Sequence, residues 1–322
     1  MWVSPVVAVL TLVASFIVGI QTKPQPPDRP LRTTSTRALV HHAAFAPDNS
    51  VVVWDSAGFG RWDFNTGKTV DRQPVIAKAC GVMRAPLLPR SDDGRTLAIN
   101  CAGKLFFFDM ASTELRGEWR YDPKQIPALY TQSPDGALLA GVPSGSMSTI
   151  VVVDPKSGER RATIQNEQEV LQLSVASGGQ VLVAGAVDGA RVWQLPEGKL
   201  LHTIPGGTFH ALSPDNQTLA LERGRDVVVV DVASGAVKQT LPGAVSQLRF
   251  SNNGAVLATW NNQQLTVWDM ATAKPLLTLK SSQLQTVALS ADAQYLAAIA
   301  LELAGAPQTT VGVWKIPPPA MK

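Results

Sequence analysis

The carboxylates of this chain recur at one place in a repeat instead of gathering into a site. Asp63, Asp109, Asp154, Asp231 and Asp269 each follow an apolar residue and precede a short polar turn. That repetition reads as turn capping, with side-chain oxygens accepting backbone N–H groups, and not as an acid–base pair. The four histidines are His41, His42, His202 and His210. His41 and His42 are adjacent in a strand pattern and so face opposite sides. No Cys or His spacing suits zinc, and there is no Gly-x-Ser-x-Gly elbow or HExxH. Gly67-Lys68-Thr69 imitates the end of a phosphate loop, but the earlier glycine position holds Trp62, so it reads as a hairpin turn. These residues lead us to expect no enzyme, no cofactor and no metal.

The two cysteines, Cys80 and Cys101, flank the turn Asp92-Asp93-Gly94. Strands paired about that turn bring them nearly opposite each other, which permits a disulfide in an oxidising compartment. The alternative is two small buried apolar residues on neighbouring strands.

These residues hang on a repeated scaffold. A tight turn, a strand and an apolar–acid pair recur seven times. The third turn residues stand at 49, 94, 136, 179, 216, 254 and 293. The pairs are Trp62-Asp63, Phe108-Asp109, Val153-Asp154, Trp193-Gln194, Val230-Asp231, Trp268-Asp269 and Trp314-Lys315. A period of about 40 with a Trp-Asp signature predicts an all-β fold, a seven-bladed β-propeller of four-stranded blades. In each blade the first turn joins strands a and b. A second turn, such as Asn65-Thr66-Gly67 or Ala233-Ser234-Gly235, joins strands c and d, its Gly suiting a left-handed bulge. Because Trp62, Trp193, Trp268 and Trp314 recur at one position, they are assigned to the core.

The turns Ser133-Pro134-Asp135-Gly136 and Ser213-Pro214-Asp215-Asn216, with Trp268-Asp269-Met270-Ala271-Thr272, make the chain resemble the WD-repeat family over about residues 31–316. The Gly-His dipeptide that opens a WD repeat is absent from every copy, so the family's internal His–Ser–Asp network is not expected. Val230-Asp231-Val232-Ala233-Ser234-Gly235 also resembles the YVTN-type surface propellers. The resemblance implies a divergent WD-like propeller of bacterial type and a scaffold for protein–protein interaction.

The ends differ in kind. Residues 1–21 form a hydrophobic segment whose uncharged stretch Trp2–Ile20 would span roughly 28 Å as a helix, against about 30 Å of bilayer core. It reads as an uncleaved anchor, or else as a signal peptide with a poor cleavage site. Lys23, Arg29, Arg32 and Arg37 follow it, which by the positive-inside rule alone would hold the domain in the cytoplasm. N-terminal anchors more often precede an exported propeller, and the extracytoplasmic side (periplasm or cell surface) is the expectation. Residues 22–30 carry four prolines and read as a semi-rigid stalk. The propeller fills 31–316, and 317–322 is a tail with Pro317-Pro318-Pro319 where a last strand should begin. Arg29-Pro30-Leu31-Arg32-Thr33-Thr34 resembles Lys274-Pro275-Leu276-Leu277-Thr278-Leu279, strand d of the sixth repeat, and Leu31–Thr34 is expected to complete the seventh, closing the ring.

Loop lengths point to one face. Extra residues fall in b–c loops at Pro143–Thr149 and about Leu301–Thr310, and in d–a loops near Arg72–Ala79 and Arg120–Pro127. Both loop types emerge on the same side of a propeller, where insertions mark a binding face, although loops also drift neutrally. Trp54, Tyr121, Arg223, Arg225 and Trp260 lie in or beside those loops and form the candidate partner-binding surface.

The chain has 322 residues with 28 Lys+Arg against 25 Asp+Glu, and its basic residues form no run. Nucleic acid is therefore not expected as a partner. The expected protein is a membrane-tethered monomeric domain that binds other proteins. The runner-up is a propeller enzyme of the lactonase or quinoprotein sort, with its site at the central channel mouth.

Overall fold

A computed structural model of the chain describes residues 29–36, 40–55, 58–73, 96–101, 104–109, 112, 114–120, 127–133, 137–143, 145–154, 157–280, 284–302 and 308–318. The expected helix of residues 1–21 and most of the stalk lie outside them. Among the described residues no helix is long and apolar enough to cross a membrane.

The described strands form antiparallel sheets, six of four strands and one of three. Sheet 1 holds β2 (Val40–Phe45), β3 (Val51–Asp55), β4 (Gly58–Asp63) and β5 (Lys68–Gln73). Sheet 2 holds β6 (Thr96–Cys101), β7 (Lys104–Asp109) and β8 (Leu115–Arg120). Sheet 3 holds β9 (Pro127–Gln132), β10 (Leu139–Pro143), β11 (Thr149–Val153) and β12 (Arg160–Gln165). Sheet 4 holds β13 (Gln172–Val175), β14 (Val181–Ala186), β15 (Gly189–Gln194) and β16 (Lys199–Pro205). Sheet 5 holds β17 (His210–Leu212), β18 (Thr218–Arg223), β19 (Asp226–Asp231) and β20 (Val237–Pro242). Sheet 6 holds β21 (Gln247–Phe250), β22 (Val256–Trp260), β23 (Gln264–Asp269) and β24 (Lys274–Lys280). Sheet 7 holds β25 (Leu284–Leu289), β26 (Tyr295–Glu302), β27 (Gln308–Lys315) and, from the start of the chain, β1 (Arg32–Thr36).

The strand patterns follow from sheets packed on both faces. The second and third strands of sheets 4 to 6 are largely buried, as in β22, whose five residues are all buried. The outer strands alternate, as in β12 and β20, because one side is wet. Each core is shared by two neighbouring sheets. Val142, Ile150 and Ile164 of sheet 3 pack on Leu173, Leu182 and Trp193 of sheet 4. The first strands β9, β13, β17, β21, β25 and β2 lie beside one another in that succession. Sheets 4 and 5 approach so closely that a Cβ on Gly185 would sit 2.8 Å from His210 Nδ1.

Both turn types behave as their residues require. The third residue of the first turn is left-handed at Asn49 (φ 63°), Asn216 (φ 62°), Gly254 (φ 68°) and Ala293 (φ 60°). At the second turn, the ladder slips by one residue before the Trp-Asp-like pair ends, for example between Val267 and Trp268.

The first and last repeats meet. Arg32 of β1 registers with Val313 of β27, and Thr36 with Thr309. Val40, Phe45 and Trp62 of sheet 1 share a core with Ala297, Ile299 and Val311 of sheet 7. Phe64 and Tyr295 stack edge to face with centroids 5.1 Å apart. The insertion expected at Leu301–Thr310 is partly strand. Leu301 pairs with Thr309 and Glu302 with Gln308, so the added chain lengthens a hairpin before it forms a loop.

Candidate interaction face

The recurrent acids are turn caps. Asp63 accepts the N–H groups of Asn65 (2.9 Å) and Thr66 (3.3 Å), and the Thr66 hydroxyl at 2.7 Å. Asp231 repeats this with Ser234, and Asp269 with Ala271 N–H and the Thr272 hydroxyl. Asp109 and Asp154 accept the N–H groups of Ser112 and Ser157. Hydrogen bonding from Thr66 holds the Asp63 carboxyl below its usual range. For Asp231, the Lys238 ammonium and the Ser234 groups do the same.

The first turns carry a second device on the same face of the molecule. Ser213, Ser251 and Ser290 are buried, and their hydroxyls donate to Asp215 (2.5 Å), Asn253 (2.7 Å) and Asp292 (2.6 Å). Each also receives a backbone N–H, from Thr218, Val256 and Tyr295. Among the described residues, no group of three or more His, Cys, Asp or Glu could hold a metal ion.

The opposite face, with the b–c turns and d–a loops, is laced loop to turn. Asn261 Oδ1 accepts the N–H groups of Gln263 (2.8 Å) and Gln264 (2.9 Å), while its Nδ2 donates to Ala244 O at 2.7 Å. Gly207 N–H donates to Glu222 O, and Gly243 N–H to Arg225 O. The Arg191 guanidinium, 3% exposed in β15, spans Asp188 Oδ1 (3.0 Å) and Oδ2 (2.8 Å) in its own b–c turn. It also stands 3.6 Å from Glu167 in the preceding d–a loop. That pairing holds Asp188 below the usual carboxylate range. Residue-by-residue reading missed this clamp, although Asp188-Gly189-Ala190-Arg191 across a hairpin turn was its signal.

The five surface candidates separate. Arg223 and Arg225 are exposed on the β18–β19 turn, with Arg223 Nε donating to Pro205 O at 3.0 Å. Trp54 is the β3 residue paired with Phe59, next to a b–c turn. Tyr121 lies outside the described residues, as does Cys80, so the expected disulfide falls there too. Trp260 is corrected. It is 5% exposed and packs with Leu265, Leu284 and Val287 in the core shared by sheets 6 and 7. The cause is its place as the last residue of β22, paired with Gln247 and Leu265, where the strand still faces the next sheet. What remains at the surface there is a cleft of about 330 Å³ between sheets 5 and 6, bordered by Pro242, Asn261, Gln264 and Lys280.

One polar contact is buried within a blade-like sheet. Trp268 Nε1 donates to Thr259 Oγ1 at 2.9 Å inside sheet 6. In sheet 4 the corresponding Trp193 Nε1 is buried without a hydrogen-bond partner.

Comparison with known proteins bears on the fold. No protein-family model matches the chain, and no curated protein matches it. Among solved structures it is similar to the β-propeller domain of Cps50 (Swd1) of Myceliophteria thermophila. The TM-score is 0.68 at 15% identity, covering 90% of this chain and 100% of that one. The chain is thus an all-β protein of β-propeller fold.

Proposed function

We propose that this chain is a non-catalytic scaffold for protein–protein interaction: a divergent, bacterial WD-repeat-like propeller of seven blades. Its N-terminal strand closes the ring, and residues 1–21 tether it to the membrane with the domain on the extracytoplasmic side. The observation that carries the scaffold reading is the fate of the recurrent polar residues. The five repeated aspartates are engaged in their own turns, and Arg191 in an inter-sheet clamp, so this side-chain chemistry serves architecture. The likeness to a Swd1 propeller domain supports the same reading. Ring closure is supported by β1 in sheet 7 and by the core that sheets 1 and 7 share.

The test is affinity capture from native membranes of the source cell, comparing wild type with Arg223→Glu/Arg225→Glu. A specific protein captured by wild type and lost with the double variant supports the reading. Identical captured sets would remove this face from it. A reporter fused after Lys322 tests the tether and its orientation. Activity on the cytoplasmic side alone refutes the extracytoplasmic placement.

A further inference from the structure

Sheets 6 and 7 part at their outer rim, leaving a cleft of about 550 Å³. Its origin is a choice of residue. Two places before the repeated Trp-like position, β23 has Thr266, β15 has Arg191 and β19 has Val228, all three buried. At that place β27 has Gly312. The Trp314 ring lies across it: a Cβ on Gly312 would stand 2.5 Å from Trp314 Cη2 and 2.7 Å from Cζ3. Ala298 in β26 takes the place that Thr259 holds in β22, so two small residues coincide. The floor is therefore Gly312, Ala298 and the indole face, with Leu279 and Leu284 as walls.

The banks of the cleft are β24 and β1, each the outermost strand of its sheet. Such strands leave a row of backbone N–H and C=O groups without partners in the sheet. Lys280, exposed, ends β24 at the end of the cleft shared with Thr310, and Pro30 lines the other end. A hydrocarbon ligand would satisfy the floor but not the banks. An extended peptide satisfies both, because alternate side chains enter the cleft while its main chain meets a strand edge.

We infer that this cleft is a docking groove for an extended peptide segment of a protein partner, with apolar side chains on the Gly312–Trp314 floor and an acidic residue at Lys280. The inference rests on the protein-binding reading above and gives that reading a recognition chemistry. The groove runs along the rim, and its Lys280 end reaches the face that carries Arg223 and Arg225, on the sheet next to theirs.

The experiment uses the full-length protein in lipid nanodiscs and a displayed library of random heptapeptides. The tightest selected peptide is then synthesised with a fluorophore and titrated by anisotropy. The expected consensus alternates apolar residues and ends in Asp or Glu. Lys280→Glu, a surface change that leaves the fold intact, should weaken binding by roughly three- to tenfold. Replacing the peptide's acid with Lys should restore binding to that variant and not to wild type. Gly312→Val, which refills the floor, should abolish binding. Peptides that bind all groove variants equally but lose affinity with Arg223→Glu/Arg225→Glu overturn the groove and leave the protein-binding reading standing. A library that yields no binder on either surface overturns both.

Discussion

Asn49 Nδ2 donates a hydrogen bond to Asp292 Oδ2 at 3.1 Å across 243 residues of chain. The two residues sit in the first turns of sheets 1 and 7, so the bond joins the first repeat to the last. Burial opposes ionisation of Asp292, but hydrogen bonds from Ser290, Gln294 and Asn49 outweigh it and keep the carboxyl below its usual range. The same seam holds the Phe64–Tyr295 contact and the pairing of β1 with β27. Deleting residues 29–35 would strip the outer strand from sheet 7 and expose the β27 edge. The truncated protein should melt in one transition well below the full chain and aggregate more readily. Thermal unfolding followed by circular dichroism checks this, and equal melting of the two forms would refute closure by this strand.

The Trp268–Thr259 bond is a removable unit. Thr259→Val keeps shape but leaves a buried indole N–H without an acceptor. The cost should be about 1–3 kcal/mol, seen as a lower midpoint in urea. The control is the same change in a Trp268→Phe background, where it should be nearly neutral. A full-sized loss there would mean that Thr259 acts through something other than this bond.

Trp193 poses the converse case. Its indole N–H is buried without a partner, and Ala184 stands where sheet 6 has Thr259. In sheet 6 the Thr259 hydroxyl also donates to Thr266 O at 3.4 Å, and Arg191 O is its counterpart in sheet 4. Ala184→Thr should therefore supply both an acceptor and a satisfied hydroxyl. The expected gain is about 1 kcal/mol, less whatever crowding the extra atoms bring. A loss of stability would show that the packing cost wins.

Much of this was legible in the sequence because repetition averages out local accidents. Trp62, Trp193 and Trp268 recur at one place, and all three are buried. The outer strand of sheet 7 was legible because Arg29–Thr34 resembles the chain around Leu276–Leu279, and β1 takes that role. Trp260 was misread for a local reason. It precedes Asn261-Asn262-Gln263-Gln264, a polar run that looks like open loop, yet the strand continues through it. The cleft at Gly312 was hidden because a glycine signals nothing alone. It becomes visible only when set against Thr266, Arg191 and Val228 in the other repeats.

That correction separates two variants. Trp260→Ala removes a buried ring from the sheet 6–7 core and should cost about 3–5 kcal/mol. Arg225→Glu changes an exposed side chain whose backbone carbonyl makes the local hydrogen bond, so its stability should stay within about 0.5 kcal/mol of wild type. Paired denaturation curves decide between core and surface. If Trp260→Ala melts like wild type, the ring does not serve the core as its burial implies.

His210 sets the response to acid. It is 1% exposed, and burial pushes its pKa down to about 4. Its Nδ1 lies 3.3 Å from Thr208 O, which only a protonated Nδ1 can satisfy, while Nε2 is buried without a partner. Charging the ring therefore adds a second buried proton with nothing to accept it. The unfolded chain, with an ordinary pKa near 6.5, takes up that proton first. The contribution is fully present above about pH 6.5 and is lost as pH falls toward about 4, amounting to roughly 3 kcal/mol. His210→Asn keeps a donor near Thr208 O and has no titration in this range. Its stability should be lower than wild type at pH 7.5 but flatter between pH 6.5 and 4. Urea midpoints measured across that range test the point. An unchanged slope in the variant would refute His210 as its source, because the turn carboxylates, held below their usual range, lose their own contributions only below about pH 4.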